Sequence, residues 1–222
     1  MVENVELCGY KTRLTKGLNL SSKKIESTIQ SYHYTGERRE KDQKVENLRM
    51  PSMALAFYTY VFEKETIPTQ DELIETYLSH GAFQILANGM VSVSFDGTTT
   101  TVTKSGLEAR ILRTYPSIIR DIHFYYLVLE SGLFESVHYS FINDFYYMID
   151  LKVLYNGHWF NIGMLFDSYR AEQFRQKKQT RHEVKEDVIY IKLSRDSCKQ
   201  CGSFYLYTSN HVNQLYQEIT QK

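Results

Sequence analysis

The chain has 222 residues, 42% of them hydrophobic, with 18 tyrosines, 12 phenylalanines, one tryptophan and only three prolines, enough apolar material for one large domain or a compact domain carrying an N-terminal extension. Lys and Arg balance Asp and Glu at a formal net charge of zero, which excludes a global field toward nucleic acid or membrane and leaves only local patches for a polyanion. No apolar run reaches the roughly 18 residues of a membrane span, the start MVENVELCGYKTRLTKG lacks the apolar core of a signal peptide, and three cysteines suit a reducing compartment. The expectation is a soluble, cytoplasmic protein with no membrane partner.

Residues 1 to about 50 are polar and charge-dense, compatible with a weakly amphipathic helix, a long arm or a disordered segment. From Pro51 the pattern tightens. SMALAFYTYVFEKE predicts an apolar helix and TQDELIETYLSHG a second, opened by the capping box Thr69 to Glu72 and closed by Gly81. MVSVSFDGTTTTVT alternates about Asp96-Gly97 and predicts a β-hairpin. Two helices and a hairpin can build a winged-helix-like unit, though this one is poorly basic and serves equally as a platform for a protein partner.

SGLEARILRTYPSIIRDIHFYYLVLES predicts two helices with a bend near Tyr115, Pro116 sitting in the first turn of the second and Gly132 ending it. FESVHYSFIND, YYMIDLKVLY and HWFNIGMLF then read as three strands. SYRAEQFRQKKQ reads as a basic helix capped by Asp167 or Ser168, and DVIYIKLS as a buried strand. FYLYT adds another strand and VNQLYQEITQ a closing helix. The order α-β-β-β-α-β over residues 106–194 predicts an α+β chain: a mixed central sheet flanked by helices on both faces, with residues 1–104 as an N-terminal helical and hairpin extension and 105–222 as the core domain.

Asn156-Gly157 sets the register of the second and third strands, since a type I′ turn closes on Tyr155 and His158. Lys152 then faces Asn161, and Asp150 faces Gly163. Leu151 and Val153 share an apolar face with Phe160, Ile162, Met164 and Phe166. The opposite face carries Asp150, Lys152, Asn161 and Gly163 among Leu154, Trp159 and Leu165, and the bare Gly163 predicts space across from Asp150.

That element order, with an acid on the middle strand, resembles the PD-(D/E)XK nuclease superfamily over residues 106–194. The resemblance implies an aspartate on the second core strand, an acid-x-lysine on the third, an acid from the first helix, and one or two Mg²⁺ or Mn²⁺ ions held between them. Oxygen ligands suit such ions, and a lysine beside the attacking water stabilises developing charge. On this chain it makes Asp150 the metal ligand, Lys152 the charge-stabilising lysine, Glu108 the helix acid, and Asp167 a second carboxylate if its strand bends. The third strand departs from the pattern, offering Asn161, Gly163 and Leu165. The lysine is then Lys152, or Lys177 or Lys178 of the following helix. A second alignment uses Asp144 with Asp150-Leu151-Lys152. Glu108 also closes a capping box with Ser105, which leaves Asp121 as the alternative helix acid.

Arg170, Arg175, Lys177, Lys178, Arg181 and His182 form a basic run that reads either as a DNA phosphate track or as a solvated helix face. Cys198 and Cys201 spell CxxC. Zinc would need Cys8, His182 or His211 to join, and structural thiols in a turn are the simpler reading. The aromatic clusters HFYY, FYY and FYLY read either as base-stacking surfaces or, more simply, as core with tyrosine hydroxyls at the rim. The implied function is Mg²⁺-dependent DNA cleavage in a restriction, mobile-element or phage-defence setting. The alternative is an inactive nuclease-fold subunit that binds DNA or a partner protein.

Overall fold

The computed structural model describes residues 3–7 and 10–14 as backbone, and 19–36, 41–140, 143–144, 147–167 and 187–222 in full. The chain divides into two compact units, Met1–Leu20 with Thr28–Ile119, and Ser21–Ser27 with Arg120–Lys222. The expected boundary at 104/105 is the start of a helix that runs on through the division.

In the first unit, strands β1 (Glu3–Leu7) and β2 (Tyr10–Leu14) pair antiparallel. Helices α1 (Ser22–Ile29), which begins in the second unit, α2 (Gln43–Glu46), α3 (Met53–Lys64) and α4 (Gln70–Leu78) follow. The first fifty residues thus hold ordered elements, among them α1, an amphipathic helix that buries Ile25 and Ile29 four residues apart. Helix α4 opens on the predicted capping box, the Glu72 amide donating to Thr69 Oγ1 and the Thr69 amide to Glu72 Oε2. Strands β3 (Phe83–Ile85), β4 (Met90–Phe95) and β5 (Thr98–Thr103) form an antiparallel sheet in that order. The turn between β4 and β5 is the predicted one: Asp96 and Gly97 both take positive φ, as a type I′ turn demands. Leu55, Phe57, Leu73, Tyr77, Val91, Val102, Leu107 and Ile111 fill the core of this unit.

Helix α5 (Lys104–Glu130) is one continuous helix through Pro116, not the predicted pair. Proline has no N–H for the carbonyl four residues earlier, and the Tyr34 hydroxyl supplies that donor to Leu112. The helix is capped by Thr103, whose Oγ1 accepts from the Gly106 amide, rather than by Ser105.

The second unit holds a mixed four-stranded sheet flanked by helices. Strands β6 (Ser136–His138), β7 (Leu151–Tyr155) and β8 (His158–Phe166) run as an antiparallel meander, and β9 (Val188–Leu193) lies parallel to β8. A short hairpin, β10 (Lys199–Cys201) with β11 (Phe204–Leu206), leads to helix α6 (Ser209–Thr220). Leu151, Val153, Ile162, Ile189, Ile191 and Leu193 form one core with Phe124 and Val128 of α5 and Val212, Leu215 and Ile219 of α6. The predicted apolar face of the β7–β8 hairpin is therefore the core face. The basic segment between β8 and β9, with its predicted helix, lies outside the described residues. Among the described residues no helix is long and apolar enough to cross a membrane.

Candidate functional site at the sheet end around Asp150

Register follows the Asn156-Gly157 turn as predicted, with Tyr155 opposite His158 and Lys152 opposite Asn161. The strand expected over residues 146–155 enters the sheet only at Leu151. Met148 takes a left-handed φ of 54°, which interrupts an extended strand, and the Ile149 amide folds back onto the Asn143 carbonyl at 3.1 Å. Asp144 belongs to that fold-back, accepting from the Tyr139 hydroxyl at 3.3 Å.

Because β7 starts late, the longer β8 runs past it and needs another acceptor for its backbone. Asp150 provides one. Its amide donates to the Ile162 carbonyl at 2.9 Å, and its Oδ2 accepts from the Met164 amide at 2.5 Å. The carboxylate thus stands where a strand carbonyl would be and is fixed by β8.

The space predicted opposite Asp150 is filled. Gly163 pairs with Tyr190 on β9, and a Cβ at position 163 would lie 2.5 Å from Tyr190 Cε1. Glycine is required there by the approach of that ring. Lys152 lies on the sheet face turned away from Leu151, Val153 and the α5 and α6 side chains packed on them, opposite Asn161. The Asn161 Oδ1 is buried with no hydrogen-bond partner among the described residues.

Helix α5 brings further charges to this sheet end. The Tyr207 side chain is buried, and its hydroxyl donates to the Leu165 and Ile191 carbonyls at 3.4 and 3.3 Å. Burial first, and then the negative charge of Asp121, push the Tyr207 phenol up; Asp150 adds to that push and Arg120 opposes it. Asp121, Arg120 and Asp150 thus all act on one hydroxyl. The Arg120 guanidinium also lies over the Phe166 ring, 5.2 Å from its centre.

Glu108 sits elsewhere, in the first unit, 3.6 Å from Lys104 Nζ. Asp167 is not drawn toward Asp150 by a bend. Strand β8 keeps its pairing with β9 to Phe166, and the Asp167 amide continues it to the Leu193 carbonyl at 2.8 Å. Three residues of strand separate Asp167 from Met164, on the order of 10 Å. Arg170, Arg175, Lys177, Lys178, Arg181 and His182 lie outside the described residues. No group of three or more His, Cys, Asp and Glu able to hold a metal occurs among the described residues. Mg²⁺ is commonly held by one or two carboxylates with water completing its shell; Asp121 and Asp150 are oxygen donors of that kind, and Asp150 Oδ2 already accepts from the Met164 amide.

Two other constellations carry structure. The Cys198 thiol donates to the Arg195 carbonyl at 2.9 Å and the Cys201 thiol to the Glu26 carbonyl at 3.2 Å. Extended backbone between them separates their Cα atoms by about 10 Å, beyond disulfide reach. Ser197 and His211, which no motif announced, form a Ser–His pair at 3.2 Å. His211 Nδ1 accepts from the Thr208 amide at 3.0 Å, so Nε2 carries the proton and cannot act as base toward Ser197.

Comparison with protein families, with characterised proteins and with solved structures returns no match.

Proposed function

We propose that the chain is a PD-(D/E)XK-like, metal-dependent nuclease acting on DNA. The observation that carries this reading is Asp150, fixed by the Met164 amide immediately before β7, together with the charge of Asp121 on α5, which like that of Asp150 acts on the Tyr207 hydroxyl. Its support is an element order of helix, three-stranded antiparallel meander and parallel fourth strand, with an acid on the helix and an acid, Asp150, immediately before the second strand. Asp121 takes the helix-acid role expected of Glu108. The Met164 amide donates to the Asp150 carboxylate and fixes its orientation, as hydrogen-bond partners do for carboxylates that hold metals. A divalent cation bound there would polarise the phosphate and make its water a nucleophile. The chain leaves β8 at this same sheet end, and the residues that follow, Arg170 to His182, are rich in the cations a phosphate backbone requires. A restriction, mobile-element or phage-defence setting goes with this reading.

A second reading rests on Gly163. The third strand carries Asn161, Gly163 and Leu165, and Tyr190 fills the place beside Gly163. A nuclease fold without that strand's acid and lysine would bind DNA or a partner protein without cutting. Supercoiled plasmid and single-stranded oligonucleotide, incubated with Mg²⁺ or Mn²⁺, separate the two. Cutting that is lost in folded Asp150→Ala and Asp121→Ala supports the nuclease. DNA retarded on a gel but left whole supports the binding subunit.

A further inference from the structure

We propose that the open edge of strand β3 is a self-association surface, at which β3 pairs antiparallel with β3 of a second copy of this chain. The sheet of the first unit runs β3-β4-β5, so β3 and β5 are its two edges. They are finished differently. Helix α2 and its cap guard β5: Lys44 Nζ donates to the Thr101 carbonyl at 2.7 Å, and Thr103 Oγ1 donates to Asp42 Oδ2 at 2.9 Å. Lysine at an edge is a common device against strand pairing. Strand β3 carries none of these devices except its shortness. Residues 84–89 are all exposed, and residues 81–95 hold no charged side chain and no proline.

Backbone and side chains both end unfinished at this edge. The Ser94 amide donates to the Ala82 carbonyl at 2.8 Å and the Leu86 amide to the Met90 carbonyl at 2.9 Å. Residues 82, 84 and 86 therefore turn their backbone groups to β4, and residues 83 and 85 turn theirs away. The Phe83 amide is taken by the His80 carbonyl at 3.0 Å, whereas no backbone bond reaches Ile85 on the open side among the described residues. Leu86 is still extended, with φ −105° and ψ 170°, so the Ala87 amide turns to that side as well. Phe83 and Ile85 stand opposite Val93 and Val91, which are 1% and 0% exposed, and so share the core face of the sheet. Ile85 is nevertheless 60% exposed. The apolar layer runs past its cover.

A strand added here must offer Ile85 a donor, an acceptor and an apolar side chain opposite it, and must bring no unpaired charge. Strand β3 of a second copy meets each demand. A two-fold axis beside Ile85 sets each Ile85 against the other as a hydrogen-bonded pair, with Cα atoms about 5.5 Å apart and each amide donating to the other carbonyl. The same register sets the Ala87 amide of each copy against the Phe83 carbonyl of the other. The two isoleucines then cover one another, and two sheets become one. So short a contact is a small interface, and the pairing is weak and depends on concentration.

Sedimentation of the full chain between about 10 and 500 μM tests the pairing over the range that suits a small interface. The average mass of the wild type should rise with concentration. Ile85→Lys and Ile85→Glu, both at an exposed position, should each associate at least roughly tenfold more weakly, because the two-fold axis sets like charges face to face. Mixed in equal amounts, the two variants should associate again, since opposite charges then meet. Wild type that stays monomeric at the highest concentration, variants that associate as the wild type does, or a mixture that stays monomeric overturns the proposal. Should either variant fail to fold, amide exchange of the wild type replaces the pair. Protection of the Ile85 amide should rise with protein concentration, and exchange there that ignores concentration overturns the proposal.

Discussion

The Tyr34 hydroxyl donates to the Leu112 carbonyl at 3.0 Å, across 78 residues of sequence, and so satisfies the acceptor that Pro116 leaves without an amide in α5. Gly36 permits this approach, since a Cβ there would lie 2.6 Å from the Tyr34 ring and 2.8 Å from Leu112 Cβ. Helix α5 thus runs unbroken from Lys104 to Glu130.

Tyr34→Phe should cost about 1–2 kcal/mol in urea unfolding, the penalty of a buried carbonyl left without a donor. Pro116→Ala restores the missing amide. In that background the cost of Tyr34→Phe should shrink. Equal costs in both backgrounds would show that the hydroxyl does not serve Leu112.

Gly163→Ala should destabilise by about 1–3 kcal/mol, because the added methyl meets the Tyr190 ring. Tyr190→Ala should relieve most of that strain in the double variant. Thermal melts of the two single variants and the double variant measure it, and additive losses would contradict the contact.

Arg110 donates from Nη1 to the Leu48 carbonyl at 2.8 Å and also to the Val45 carbonyl, closing the end of α2 against α5. Arg110→Met keeps much of the apolar stem and removes the charged donor. About 1.5–3 kcal/mol should be lost in urea unfolding. A variant as stable as wild type would mean that water serves those carbonyls equally well.

Local chemistry was legible where it is complete within a few residues. Asn156-Gly157 set the β7–β8 register, Asp96-Gly97 the β4–β5 turn, and Thr69 with Glu72 the start of α4. The α+β class and its mixed sheet followed from the order of apolar runs. Distant residues decided the rest. Pro116 signals a break unless a hydroxyl 78 residues upstream repairs it. The glycine at 163 signals space unless a ring from the next strand fills it. Met148 takes a left-handed conformation that its side chain gives no reason to expect. Glu108 and Asp121 lie on the same 27-residue helix, and sequence alone does not say which end meets the sheet.

The proposed pairing of Asp121 with Asp150 in a metal-binding site is tested most directly by calorimetric titration of Mn²⁺ into the wild type, Asp121→Asn, Asp150→Asn and Glu108→Gln, each shown to be folded. Binding should be present in the wild type and in Glu108→Gln and lost in both aspartate variants. Wild-type protein that takes up no metal, or binding that survives Asp121→Asn and vanishes in Glu108→Gln, would contradict the account.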